Sequence, residues 1–142
     1  MGRYTVVEDV ALADCAMDIE GRDAGDLFET AARALAELMI DPGTLPVTVE
    51  RTIELEAAQV DLLLFDWLGE LIFRKDRDRE VFPEARVRIS GDGPVRLAAS
   101  VRGGVIDPAG TERRADPKAV TLHQLRVTAD ETGWRARVVI DI

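Results

Sequence analysis

Chemistry in this chain would have to come from few side chains. There is one histidine, His123, and one cysteine, Cys15. A nucleophile or general base needs a partner within hydrogen-bond reach. The strand neighbours of His123, Thr121 and Gln124, offer no Ser/His/Asp or Cys/His pattern, so a hydrogen-bonded structural histidine is the plainer expectation. A single cysteine forms no internal disulfide, and no zinc-type Cys/His spacing occurs; Cys15 reads as a small buried apolar residue. Gly91-Asp92-Gly93 and Gly103-Gly104 do not open a helix after a strand with phosphate-loop spacing, and read as turn residues. Carboxylates remain. Asp66 and Glu70 form a like-charge i,i+4 pair on a mostly apolar stretch, placed to face arginines within the protein or on a partner. The last strand carries Asp141 and runs to Ile142. Chain ends fray unless tied down, so this end is expected to have a use.

The elements that position these groups follow from periodicity. Residues 4–7 and 17–20 read as strands. Asp23 is placed to cap a helix in which Leu27, Phe28, Ala31, Leu35, Leu38 and Met39 recur at three-and-four spacing, with Asp41-Pro42-Gly43 as its stop. Residues 47–55 form a third strand. A second helix over 58–73 is apolar around most of its circumference, which predicts burial on several sides. Residues 77–80 read as a charged loop. Alternation over 85–89 and 95–99 about Ser90-Gly91-Asp92-Gly93-Pro94 predicts a hairpin, and 103–117 reads as loop. A closing hairpin joins 120–127 to 134–140 through Asp130-Glu131-Thr132-Gly133. Trp134, Ala136, Val138 and Ile140 share one face; Arg135, Arg137, Val139 and Asp141 share the other. About seven strands and two helices, with the helices early, predict an α+β domain: two layers, a mostly antiparallel sheet with two helices on one face.

The 142 residues fit one domain, 1–142, and 46% hydrophobic content supports a core. Six prolines and eleven glycines leave no room for collagen-like or long disordered tracts. The longest wholly apolar run, residues 62–65, falls far short of the roughly 18 residues of a membrane span. Met1-Gly2-Arg3-Tyr4 leads into strand residues without an apolar signal region, so the cytoplasm is the expected compartment. A net charge of −9, with Lys75 and Lys118 the only lysines, disfavours a nucleic-acid surface, because neutralising phosphates takes clustered cations. An acidic chain that served RNA chemistry would do so by touching a basic protein.

The run Lys118-Ala119-Val120-Thr121-Leu122-His123-Gln124-Leu125, its spacing to Gly133-Trp134-Arg135-Ala136-Arg137-Val138-Val139-Ile140-Asp141-Ile142, and the upstream Asp66-Trp67-Leu68-Gly69-Glu70-Leu71-Ile72-Phe73 together resemble the archease family, in the family's order and over nearly the whole chain. The resemblance implies a strand-helix-strand-strand core and a cytosolic accessory protein, not an enzyme. Such a protein promotes guanylylation and repeated turnover of an RtcB-type RNA ligase, which joins cyclic-phosphate to hydroxyl RNA ends with GTP and Mn²⁺ in tRNA splicing and RNA repair. The ligase is the implied partner; direct nucleic-acid contact and a membrane are not expected.

The resemblance also implies a metal site, because Asp14, Asp141 and the Ile142 terminal carboxylate match positions that bind a metal in the family. Elementary chemistry agrees. If the last strand pairs near Asp14, three carboxylates converge, and without a cation one is pushed toward its protonated form. All-oxygen ligation favours Ca²⁺ first, with Mg²⁺ or Mn²⁺ as alternatives, over Zn²⁺. One departure stands out: the family has His-Thr-Ala-Asp where this chain reads Ala11-Leu12-Ala13-Asp14. The aspartate is kept, while the histidine and threonine are lost with any proton transfer or outer-shell ordering they supply; Glu8 and Asp9 are the nearby carboxylates that could substitute. Two other classes stay open: a chaperone-like binding module with a structural metal, and a small metal-dependent hydrolase using the same carboxylates. Oligomeric state is open as well, since sheet edges can pair.

Overall fold

The computed structural model describes residues 2–8 and 14–142. Its elements run β1 (Arg3–Glu8), β2 (Asp14–Gly21), α1 (Ala24–Met39), a 3₁₀ turn (Pro42–Thr44), β3 (Val49–Ala57), α2 (Val60–Asp78), β4 (Glu80–Ser90), β5 (Val95–Val105), β6 (Ala119–Asp130) and β7 (Gly133–Asp141). The α+β class and antiparallel pairing are as expected from the sequence. The strands, however, divide between two sheets, β1-β2-β7-β6 and β3-β5-β4. The closing hairpin causes the division: β7 takes the place beside β2, so β3 ladders only with β5. Both helices then pack against both sheets, α1 on β2 and β4, α2 on β6 and β3. One hydrophobic cluster joins all four groups.

Local chemistry sets the helix boundaries. Asp23 caps α1 by accepting from the Asp26 backbone N–H at 2.8 Å, and Asp41 accepts from the Gly43 N–H at 3.0 Å in the turn that follows. Glu29 on α1 reaches the free edge of β4, where its carboxylate accepts the Val87 N–H at 2.8 Å. An edge N–H that would otherwise face a neighbouring chain is thereby used internally. Trp67 is fully buried and its indole N–H donates to Phe28 O at 3.0 Å, tying α2 to α1.

Two stretches differ from the sequence reading. Residues 77–80 are not a loop: α2 runs to Asp78 and β4 starts at Glu80, with Arg79 alone turning the chain at φ 57°. The turn holds because the Arg79 N–H donates back to Lys75 O at 2.8 Å, closing the helix end in the left-handed way. Gly103 and Gly104 belong to β5 rather than to a turn. A Cβ on Gly103 would lie 1.8 Å from Val81 O, beside the irregular register between Val81 and Glu84, so glycine is required there by the close approach of a neighbouring backbone. Gly91, at φ 114° in the β4–β5 turn, is a turn glycine as expected. Among the described residues no helix is long and apolar enough to cross a membrane.

Candidate metal centre

Asp14 opens β2 and Asp141 closes β7, and the antiparallel register sets them directly opposite one another. Ala119 of β6 faces Asp141 on its other side, and the Lys118 backbone N–H donates to Asp141 O at 2.7 Å. Residues directly opposite in such a ladder point the same way, with Cβ atoms about 4.5–5.5 Å apart, and like charges so placed repel. The two aspartates are half-buried. Ile142 follows Asp141 and packs its side chain against the hydrophobic cluster, which anchors the segment.

The same side of the sheet continues through Ala16, Val139 and Thr121. Ala16 and Val139 are fully buried, and the Thr121 hydroxyl is buried without a hydrogen-bond partner among the described residues. One step further, Asp18 and Arg137 meet in a two-pronged ion pair at 2.7 and 2.8 Å. Hydrogen bonding from Arg137 holds the Asp18 carboxyl below the usual carboxylate range. The acidic pair thus sits at the end of an apolar floor, and the nearest opposite charge along the strands is engaged with another partner.

The donor set fits a hard cation in kind: two carboxylates on opposed strands, an adjoining backbone and an orphaned hydroxyl on the same face are all oxygen donors. In number it is lean. Among the described residues no three His, Cys, Asp or Glu side chains converge; Ile142 and water are further sources of oxygen. Of the sequence-derived substitutes, Glu8 ends β1 opposite Cys15, while Asp9 and residues 11–13 lie outside the described residues.

The remaining candidates separate clearly. His123 lies on β6 but is exposed, and its side chain makes no hydrogen bond among the described residues; the structural-histidine expectation does not hold. The reason is local. The register slips between Thr121 and Arg126, and Gln124 adopts φ 58°, so Leu122, His123 and Gln124 bulge outward, leaving Leu122 63% exposed. Cys15 is buried. Glu70 finds its arginine within the same helix, Arg74 at 2.7 Å, and Asp66 is exposed.

Lys75 escaped the sequence reading altogether. It is buried, donates to Pro117 O at 2.8 Å and pairs with Asp76 and Asp116. Its hydrogen bond draws the Asp116 carboxyl below the usual range. Lys75 thereby clamps the residues just before Lys118 and Ala119, and so holds β6 against Asp141. A lone lysine in a charged run carries no sign of burial; the apolar positions one helical turn before it, Leu71 and Ile72, were the only available signal.

The Archease protein family model matches residues 4–142. The chain belongs to the archease family. Curated relatives include the archeases of Methanothermobacter thermautotrophicus, 34% identical over 131 residues, and of Archaeoglobus fulgidus, 33% identical over 131 residues; each alignment covers 92% of this chain and 93% of the relative. The solution structure of Methanobacterium thermoautotrophicum protein 1598 is similar at TM-score 0.78 and 30% identity, covering 99% of this chain and 98% of that one. The Thermotoga maritima crystal structure described as an archease and possible chaperone shares the fold at TM-score 0.65 and 20% identity, covering 93% of each chain. This archease therefore keeps the family's fold over nearly its full length, with Asp14 and Asp141 at the join of its second and last strands.

Proposed function

We propose that this archease is a cytoplasmic accessory protein of an RtcB-type RNA ligase, promoting the ligase's guanylylation and repeated turnover without catalysing a reaction itself. The observation that supports this reading most is the opposition of Asp14 and Asp141 across β2 and β7. A protein meant only to be stable would place opposite charges at these positions, as it does one step along at Asp18 and Arg137. In the proposed role Asp14, Asp141 and the Ile142 carboxylate hold a divalent cation, Ca²⁺ first. When bound, the cation would offset two of the three carboxylate charges and order their oxygens, leaving a centre that is still acidic. The acidic side chains present this centre to the basic cleft of the ligase, Lys75 keeps β6 in place beside them, and the apolar floor of Ala16 and Val139 excludes water. The helper reading is favoured over a metal-dependent hydrolase on the same carboxylates because a water-activating group is wanting: the family's histidine is replaced by Ala11, and His123 is exposed on the β6 bulge.

The test is ligase guanylylation measured with and without the protein, comparing wild type with Asp14→Ala, Asp141→Ala and a form extended by a few residues beyond Ile142. Wild type should stimulate, and each variant should lose most of the stimulation while melting no lower than wild type in chelator. Full stimulation by both alanine variants would remove the acidic pair from the function. The second reading, a general chaperone-like module, takes its support from the description of the Thermotoga relative as a possible chaperone. It requires equal capture of unrelated unfolded proteins, and it fails if only the ligase is retained.

A further inference from the structure

We infer that Arg126, Thr128 and Arg135, on the solvent side of the β6–β7 hairpin, form a cradle for a phosphate group, separate from the acidic pair. The register sets Arg126 opposite Arg137 and Thr128 opposite Arg135. Directly opposed residues share one side of the sheet with Cβ atoms about 4.5–5.5 Å apart, and diagonal positions such as Arg126 and Arg135 lie about 7–8 Å apart, within reach of long side chains. The four side chains therefore stand at the corners of one small rectangle that carries three positive charges. Like charges opposed in a ladder repel. Arg126 beside Arg137 thus weakens the hairpin, as Asp14 beside Asp141 weakens the other end of the sheet.

Two acids on β2 adjoin the rectangle, and both are engaged elsewhere. Asp18 gives both carboxylate oxygens to Arg137, at 2.7 and 2.8 Å, and Arg137 also donates to Gln124 at 3.2 Å. Arg126 acts on Asp18 only at longer range. Its guanidinium makes no hydrogen bond or ion pair among the described residues, and neither does the Thr128 hydroxyl. Glu20 is held by Arg3 at 2.7 Å, which leaves Arg135 a 3.8 Å contact to its other oxygen and a 3.4 Å contact to the Thr132 hydroxyl. Arg126 and Arg135 are therefore the uncommitted cations, with the Thr128 hydroxyl between them. All three are exposed, and with Asp18, Glu20 and Arg137 they line an open cleft of about 510 Å³. Guanidinium forks take carboxylates or phosphates. Three donors approaching from two strands match the three terminal oxygens of a tetrahedral phosphate, whereas a planar carboxylate offers only two. Asp18 and Glu20 on the far wall disfavour a second negative group, so the ligand carries its charge at one end, toward β6.

The test is an NMR titration of the full chain at fixed pH and ionic strength, with inorganic phosphate, adenosine monophosphate, adenosine or acetate added and sodium chloride as the reference. Phosphate should move the Nε–H signals of Arg126 and Arg135 and the amide signal of Thr128 along a saturating curve. Arg126→Gln and Arg135→Gln should each weaken binding severalfold, and the double variant should lose it. Arg126→Gln should melt no lower than wild type, because it relieves a like-charge contact. Arg88→Gln, at an exposed arginine on β4, should bind phosphate as wild type does. Tighter binding of adenosine monophosphate than of phosphate assigns the cradle to phosphate esters, the reverse order assigns it to the free ion, and adenosine should not bind. Phosphate shifts no larger than those with chloride overturn the inference, as does undiminished binding by the double variant. Acetate binding as tightly as phosphate also overturns it, and gives the face to the carboxylates of an acidic partner.

Discussion

The same two strands treat charge in opposite ways at their two ends. Along β2 and β7, Glu20 faces Arg135 and Asp18 faces Arg137, acid against base in register. Four residues from Asp18, with Ala16 and Val139 the one opposed pair between them on that face, Asp14 faces Asp141. Opposed like charges lower sheet stability and opposed unlike charges raise it, so one end of the ladder is built for stability and the other works against it. The contrast marks the acidic end as the candidate site, because departures from local consistency in a folded chain concentrate where function demands them.

Changes at the acidic end should have the largest effects on function. Asp14→Asn or Asp141→Asn removes a first-rank oxygen donor, and the affinity for Ca²⁺ should fall by at least the roughly 10–100-fold that loss of an outer-shell partner costs, read by isothermal titration. Asp141→Arg converts the acidic pair into a copy of its neighbour. In the absence of cation it should raise stability by about 0.2–1 kcal/mol in denaturant unfolding while ending ligase stimulation. A loss of cation-free stability would mean that the two aspartates do not repel.

The paired end should behave in the reverse manner. Arg137→Met should cost about 1 kcal/mol or less, because the ion pair is partly exposed, and should leave ligase stimulation as it was. The pH dependence follows from the depressed carboxyl of Asp18. Stability from a group whose folded pKa is lowered is present above its ordinary range and is lost as pH falls through the folded pKa. Wild type should therefore lose stability on acidification in a component that Arg137→Met lacks.

The smallest effect lies at the sheet's far edge. Burial, and then the hydrogen bond to Glu37, push the Tyr4 hydroxyl up to about 12. That contribution is complete below the ordinary tyrosine value of about 10 and is lost as pH rises toward 12. Tyr4→Phe should remove this alkaline component of the melting curve and nothing at the acidic end.

Much of this arrangement was legible in the sequence, because periodicity and turn chemistry are local. Asp23 as a helix cap, the glycine turn after Ser90 and the alternating closing hairpin all follow from neighbouring residues. Asp14 and Asp141 were brought together by the family resemblance and by the hairpin's need for a neighbouring strand. What could not be read depended on long-range partners. The burial of Lys75 is decided by Pro117 and Asp116, some forty residues on. The outward bulge at His123 is a mismatch between β6 and β7 that neither strand shows alone. Division into two sheets likewise depended on which strand β7 would choose.

The central claim is that Asp14 and Asp141 together hold a cation that stabilises the folded chain. It is tested most directly by melting wild type and Asp14→Asn with Ca²⁺ and with chelator. A ligand bound only by the folded state adds about 2.7 kcal/mol at a hundredfold excess over its Kd, so wild type should melt several degrees higher with Ca²⁺ and Asp14→Asn should not respond. Equal responses in the two proteins, or none in wild type, would contradict the account.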